Sequence, residues 1–516
     1  MDPLGLDFDP PSASQVAETP EELGRYALDR NNLAVRLAEQ GRREDGLAAI
    51  EEAVTIYRQL AEADPGTHLP GLARSLNNLS GLLGELGRQE EGLAASEEAV
   101  TAFRQLADAD PDARNLAMSL NNLAAQLGEL GRREEALAAS EEAVATYRQL
   151  AEINPDAHHL AMSLNNLSVL LGRLGRREEA LAASEEAVAT YRQRAQADPD
   201  AYLHNLATSL HNLATQLGGL GRGEEALAAT EEAVAAYRQL AEANPDAHLH
   251  NLAMSLNNLS VWLGELGRQE EGLTAIEEAV AVFRQLAETN PAAYLPNLAG
   301  ALNNLSIRFA GLGLREEGLA ASEEAVAVYR QLAETNPAAH LHNLARALNN
   351  LSLQFAGLGL REEGLAAAKE TVAISRQLAE ANPDAHLHIL AMSLNNLSNR
   401  FGELGRPQKG LPAIRQAVTI YRQLAQANAG AYLPKLAMSL ENLSNRLGEL
   451  GRWQEELTAI EETITIGRRL AKGNPTAYLP ILAATLKSHS LRLEKLGLRK
   501  EAEIAAVEAR EIRASL

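Results

Sequence analysis

The chain contains no cysteine, which removes disulfide frameworks, thiolate metal sites and cysteine nucleophiles together. Aromatic residues are 4% of it against 46% hydrophobic overall, so its packing must rest on Leu, Ala and Val, with small residues letting helices approach closely. No stretch approaches the roughly 18 consecutive apolar residues of a spanning helix. Met1 to Glu18 also lacks the basic segment and apolar run of a secretory leader. These absences point to a cytoplasmic protein with no membrane partner. Basic residues are short too: 47 against 69 acidic ones, for a formal charge of −22, which repels a phosphate backbone and argues against a nucleic-acid partner. There is no GxxxxGK[ST] phosphate loop and no Ser-His-Asp arrangement, and adjacent glutamates such as Glu141 and Glu142 read as a solvated face. The expectation is a chain that is not an enzyme and needs no cofactor.

What is present is one unit written over and over, seen in full from Asn244 to Thr289. Aligned on the glycine that closes its Leu-Gly-Glu-Leu stretch, eleven copies end at Gly41, Gly87, Gly131, Gly175, Gly221, Gly267, Gly313, Gly359, Gly405, Gly451 and Gly497. The step is 46 residues, except for two of 44 before Gly131 and Gly175. A fixed period of this size means a solenoid whose units bury their apolar faces against their neighbours. That architecture also accommodates 516 residues without an oversized single core.

Each unit predicts two helices of about 20 residues, each spanning roughly 30 Å. The first opens at Asn-Pro or Asp-Pro (Asn244 and Pro245, Asp198 and Pro199), where proline cannot continue the previous helix but suits the first turn of the next. Leu252, Leu256, Leu259, Leu263 and Leu266 then make one apolar stripe, and the aligned glycine ends the helix in the left-handed conformation. The second helix opens on Glu270 and Glu271, which complement its N-terminal dipole, and buries Leu273, Ile276, Ala279, Val280, Phe283, Leu286 and Ala287. Glu270, Glu277 and Arg284 fall on its opposite, solvated side. Residues 1–18 read as a flexible tail, and order begins at Thr19, where Thr-Pro-Glu-Glu writes a capping box. From 19 to 516 the chain reads as a single array. Its last unit, after Gly497, trades apolar positions for charge as a terminal capping repeat would.

A helix pair ending Leu-x-x-Leu-Gly-Arg-x-Glu-Glu-Ala-Leu and followed by Glu-Glu-Ala resembles the tetratricopeptide repeat from Thr19 onward. The turn glycine, the small residue five places later (Gly272, Ala180, Ala226) and the alanine twelve places later (Ala143, Ala187, Ala279) match the family's packing positions. The period is longer than the family's 34 residues and its first-helix aromatics are mostly leucine here. The long helices with an Asn-Asn-Leu-Ala/Ser core are most similar to the kinesin-light-chain-like branch, common in bacterial signalling proteins. The resemblance implies an all-α, right-handed superhelical solenoid of eleven helix pairs, whose concave groove is lined by first helices and takes a peptide or partner protein. It also leaves open a sensor or regulatory arm of a bacterial signalling or defence system, and repeats this alike could instead form a self-assembling structural protein.

Candidate partner-binding residues follow from the columns. Nine places before the glycine stands an asparagine: Asn32, then Asn78, Asn122, Asn166, Asn212, Asn258, Asn304, Asn350, Asn396 and Asn442, with Ser488 in the last copy. An amide offers both donor and acceptor, so this row can read an extended peptide backbone, or else bond to neighbouring helices and set their register; the two roles are compatible. The preceding asparagine (Asn77, Asn121, Asn257, Asn303, Asn349, Asn395) is expected to be the more exposed. Five places before the glycine, arginine gathers late in the chain (Arg308, Arg400, Arg446, Arg492), with Arg346 near the start of its own helix and Asn399 and Asn445 next to the column. Such arginines suit acidic segments, because guanidinium pairs carboxylates bidentately, or else are scattered and solvated. Three His-x-His pairs (His248/His250, His340/His342, His386/His388) put residues two apart on different helix faces, so no metal is expected there. Trp262 and Trp453 read as local packing rather than hot spots.

Overall fold

The computed structural model describes residues 19–107, 113–153 and 158–515. The expected N-terminal tail and the two short junctions lie outside them. Every described element is an α-helix, 22 in all, from Pro20–Glu39 to Arg499–Ala514, each 16 to 21 residues long. They alternate as first and second helices of eleven pairs, which is the tandem helix-pair solenoid expected from the period. The chain divides into two compact units, residues 1–255 and 256–516. Within each, helices pack on their sequence neighbours, and several successive first helices, such as Pro291–Gly311 and Pro337–Gly357, also touch one another directly.

The punctuation is local backbone chemistry. Thr19 caps the first helix with a capping box: its hydroxyl accepts from the Glu22 N–H (3.3 Å) while the Glu22 carboxylate accepts from the Thr19 N–H (3.1 Å). At later starts one Asn or Asp ends a second helix and caps the next first helix, as where Asn290 Oδ1 accepts from Ala293 N–H with Pro291 at the first helical position. All eleven aligned glycines have φ between 65° and 80°. Each closes the paired bonds of a Schellman turn; Gly313 N–H donates to Ala310 C=O and Leu314 N–H to Phe309 C=O.

Burial follows the predicted stripes. Leu252, Leu256 and Leu263 are buried with Leu259 and Leu266 half-buried beside them, and Ile276, Ala279, Val280 and Phe283 form the buried face of the second helix. The family's small positions mark the closest approach within a pair: a Cβ on Gly272 would sit 3.2 Å from the Ser260 carbonyl oxygen, and Ala143, Ala187 and Ala279 are fully buried. The outer face is solvated, and its charges form rungs between repeats, such as Arg58 with Glu98 and Arg284 with Glu324.

Candidate functional site

The face presented by the first helices is built from positions a heptad apart. Thirteen and six places before the turn glycine the chain exposes Leu28 and Val35, Met118, Ile307, Leu353, Met438 and Leu491. Between these two columns lies the asparagine row. Asn32, Asn78 and Asn166 are exposed, and Asn122, Asn212, Asn258, Asn304, Asn350, Asn396 and Asn442 are half-buried, as is Ser488. An amide flanked by apolar side chains on one helix face can bond a peptide main chain while neighbouring side chains bury apolar surface.

The preceding asparagine is not the more exposed of the two: Asn77, Asn121, Asn303, Asn349 and Asn395 are all buried, Asn303 and Asn395 at 3% exposure. One residue is a rotation of about 100° on a helix, and this step turns the side chain from solvent toward the adjacent repeat. There it bonds in one of two ways. Asn77, Asn121 and Asn165 each donate to a serine hydroxyl of the next repeat, Ser119, Ser163 and Ser209, at 2.6 Å. Asn257, Asn303, Asn349 and Asn395 instead accept from the next repeat's Asn304 (2.9 Å), Asn350 (2.8 Å), Asn396 (2.6 Å) and Asn442 (3.1 Å). Asn78 makes the same bond back to Asn31 (3.0 Å). So part of the candidate row also sets the stacking register.

The late arginines do not make an open basic strip. Arg400 is 6% exposed, with Nη1 near the Ser352 carbonyl (3.4 Å) and Nη2 paired to Glu403 (2.8 Å), and burial pulls its pKa below the usual guanidinium value. Arg446 pairs with Glu449 (2.9 Å). Arg492 donates through Nε to Glu456 (2.5 Å), through Nη1 to Ser488 (2.5 Å) and through Nη2 to Asn445 (2.7 Å). The reason is a hole on the neighbouring repeat. Where the residue three places before a turn is glycine, it leaves room for the side chain from five places before the next turn, so that Arg308 Nη1 lies 0.9 Å from where a Gly264 Cβ would be, whereas the equivalent residue one repeat before Arg400 is Ala356. Gln126 lies against Gly84 and Arg446 against Gly402 in the same way. The glycines were a readable sign of this. Arg346 alone of these five arginines is exposed, thirteen places before its turn glycine.

Cavities open on the first-helix face within each unit. In the second unit a pocket of about 750 Å³ is lined by Asn445, Arg446, Trp453, Glu456, Leu491, Arg492 and Lys495 among others. Trp453 is 48% exposed there rather than packed. It stands where other repeats carry a residue such as Arg315, whose Nη1 reaches the Gly357 carbonyl of the next repeat (2.5 Å). In the first unit a cavity of about 410 Å³ is lined by Val35, Glu39, Asn77, Asn78, Leu82 and Asn122 among others, and a smaller one of about 180 Å³ shares Asn77 and Asn78 with it.

Several histidines sit near first-helix starts against the tyrosine of their own pair's second helix. His158 meets Tyr191 edge-on (centroids 5.7 Å apart), as His204 meets Tyr237 (5.7 Å). Desolvation lowers the pKa of His204, His250, His342 and His388, helped by neighbouring cations such as Arg346 beside His342 and Lys435 beside His388. Among the described residues no group of three or more His, Asp or Glu is arranged to hold a metal ion, and no helix is long and apolar enough to cross a membrane.

Comparison with known families finds tetratricopeptide repeat models over residues 115–193, and over 30–65, 206–246, 252–291, 390–428 and 436–474. A model described as anaphase-promoting complex subunit 5 matches 295–348 and 334–401. No curated protein matches. Similar solved structures include BtubC (BKLC) from P. vanneervenii, at 21% identity over 48% of this chain and 92% of that one, with a TM-score of 0.40. A kinesin-light-chain-type set of nearly identical TPR-like repeats from Podosopora anserina gives 17% identity over 44% of this chain and 98% of that one, TM-score 0.34. A signal transduction ATPase with a tetratricopeptide repeat sensor from Pyrococcus horikoshii gives 15% identity over 75% of this chain and 54% of that one, TM-score 0.44.

Proposed function

The chain belongs to the tetratricopeptide repeat family, whose repeats mediate protein–protein interaction, and from that premise we propose that it is a non-enzymatic scaffold holding an extended segment of a partner protein on its first-helix face. The observation that carries this reading is the asparagine row, flanked in several repeats by exposed apolar side chains such as Ile307, Leu353 and Met438. Solvated surfaces seldom repeat large apolar side chains in register with amides, and such alternation matches what an extended peptide offers: main-chain polar groups at the centre and side chains to either side. Acidic segments fit the second unit, where Arg346 and Lys435 are exposed and Lys495 stands beside Trp453 and Leu491 in the larger cavity.

The test is affinity capture from the source cells with the native chain, with Leu353→Glu/Met438→Glu on this face, and with Arg284→Glu/Arg330→Glu on the outer face. A partner retained by the native and outer-face proteins but lost by the first pair of substitutions supports the reading. Loss through the outer-face pair alone would move the interaction to the second helices and end it.

A further inference from the structure

The first-unit cavity has an unusual imbalance of hydrogen-bonding groups. Asn77 lines it, 4% exposed, and its amide orientation is fixed by its neighbour: Ser119 Oγ gives its proton to the Asn115 carbonyl (3.0 Å), so Asn77 must donate to Ser119 through Nδ2. Asn77 Oδ1 is then buried without a partner. In the second unit the corresponding oxygens are capped by the next repeat, but here Asn122 makes no such bond. Glu39, on the same cavity, is exposed and has no ion pair, whereas Glu85 beside it is neutralised by Arg43 (2.6 Å). The cavity thus holds one unmet neutral acceptor and one unmet carboxylate, with Val35 and Leu82 as its apolar walls.

We infer that this cavity is a subsite for a lysine or arginine side chain, flanked by aliphatic residues, in a partner segment bound by the first unit. The inference rests on the scaffold reading and gives it a chemistry for this unit. A guanidinium or ammonium group carries several donors and no acceptor, which is the complement of Asn77 Oδ1 and Glu39. Its methylene stem suits Val35 and Leu82, since long basic side chains bury the stem and keep the charge at a polar group. A formal charge of −22 draws basic segments toward the chain before any contact forms.

The experiment pans the full chain against a displayed library of random short peptides and measures the enriched peptides by fluorescence anisotropy. The proteins compared are native, Asn77→Leu, Glu39→Gln and Asn303→Leu, each checked for helicity. The expected result is enrichment of Lys or Arg beside aliphatic residues. With Glu39→Gln binding should weaken by about tenfold, the scale of one charge-assisted hydrogen bond. Asn77→Leu should weaken it at least as much, and Asn303→Leu should leave it unchanged. Glu39 is exposed, so its variant keeps the test valid if Asn77→Leu fails to fold. Enriched peptides without basic residues, or affinities unmoved by Glu39→Gln, overturn the inference. If those peptides are released instead by Leu353→Glu/Met438→Glu, the scaffold reading survives and this subsite does not; if the library yields no binder, both fall.

Discussion

The same asparagine pair behaves differently between Asn77 and Asn212 and between Asn257 and Asn442. In the earlier stretch Asn77, Asn121 and Asn165 spend their donors on serine hydroxyls and keep buried amide oxygens without a partner. In the later stretch each corresponding oxygen accepts from the following repeat. The letters of the pair are identical, so the difference comes from what each amide meets one repeat along. Ser119, Ser163 and Ser209 offer hydroxyls, Ala301 and Ala347 cannot, and Ser393 is committed to Ser375 (2.9 Å) and the Ile389 carbonyl (2.8 Å). Ser439 Oγ stays unpartnered, and nothing in the structure explains why. The same buried amide therefore bonds the next repeat in both stretches, through its donor alone in the earlier one and through its oxygen in the later one. An unmet buried oxygen costs about 1–3 kcal/mol, which a ligand's donor can recover.

The largest effect that probes this contrast lies in the later stretch, where even ions are satisfied internally. Glu456 is 4% exposed and held by Arg492. Arg492→Leu strands that carboxylate and should cost about 3–5 kcal/mol, whereas Arg58→Leu on the exposed rung to Glu98 should cost at most about 1 kcal/mol. Urea midpoints for both variants check this, and equal costs would show that the C-terminal floor is not buried in solution. Next come the amides themselves. Asn349→Leu removes the acceptor of Asn396 and should cost about 1–3 kcal/mol, while Asn121→Leu removes an unmet oxygen together with the bond to Ser163 and should cost less, about 0.5–1 kcal/mol. Hydrogen exchange, read repeat by repeat, separates the two; the reverse order would erase the distinction between the stretches. A third effect should not differ between them. Gly131→Ala and Gly313→Ala each force alanine into a left-handed turn with open space around the new methyl, for about 1–2 kcal/mol apiece, and unequal losses would mean that the turns are not equivalent as their φ values of 76° and 77° say.

Most of the fold was legible because its punctuation is local. A glycine at a left-handed φ, a proline after an Asn or Asp cap and a leucine stripe each act within one turn of helix, and all fall where the period puts them. The site was only partly legible, because it depends on which side the next repeat lies. Period alone separates Asn77 from Asn78 by a rotation without saying which rotation faces the neighbour. Arginine at 400, 446 and 492 looked like surface charge since nothing within its own helix buries it; the hole at Gly402 that takes Arg446 belongs to another repeat. Buried serines such as Ser80 and Ser96, 2.5 Å apart, were passed over because polar letters in a helix read as surface. Trp453 differs for the converse reason: it stands where repeats such as that of Arg315 carry an arginine that bonds across to the next repeat, and it is left 48% exposed.

The smallest effect is titration, and it too separates the two regions. His204 and His250 in the first unit and His342 and His388 in the second have pKa values lowered by burial, so all are neutral when folded at pH values where the unfolded chain, near 6.5, already binds protons. Above about pH 6.5 neither state gains from them. As pH falls below that value the unfolded chain takes up protons first, and stability drops until the folded histidines titrate in turn. In the second unit Arg346 lowers His342 further and Lys435 lowers His388, whereas His204 is lowered, after desolvation, by another histidine, His248, rather than by an arginine or lysine. Carboxylates held by arginine, such as Glu91 with Arg88 and Glu135 with Arg132, begin to be lost only below about pH 4.5, so the histidine window stands apart from theirs. Exchange protection measured at pH 7.5 and 5.5 should therefore fall in both units, and more in the first turns of Pro337–Gly357 and Pro383–Glu403 than in those of Pro199–Gly219. Equal loss at all three would show that Arg346 and Lys435 are screened from the histidines and leave them free to meet a partner's carboxylates.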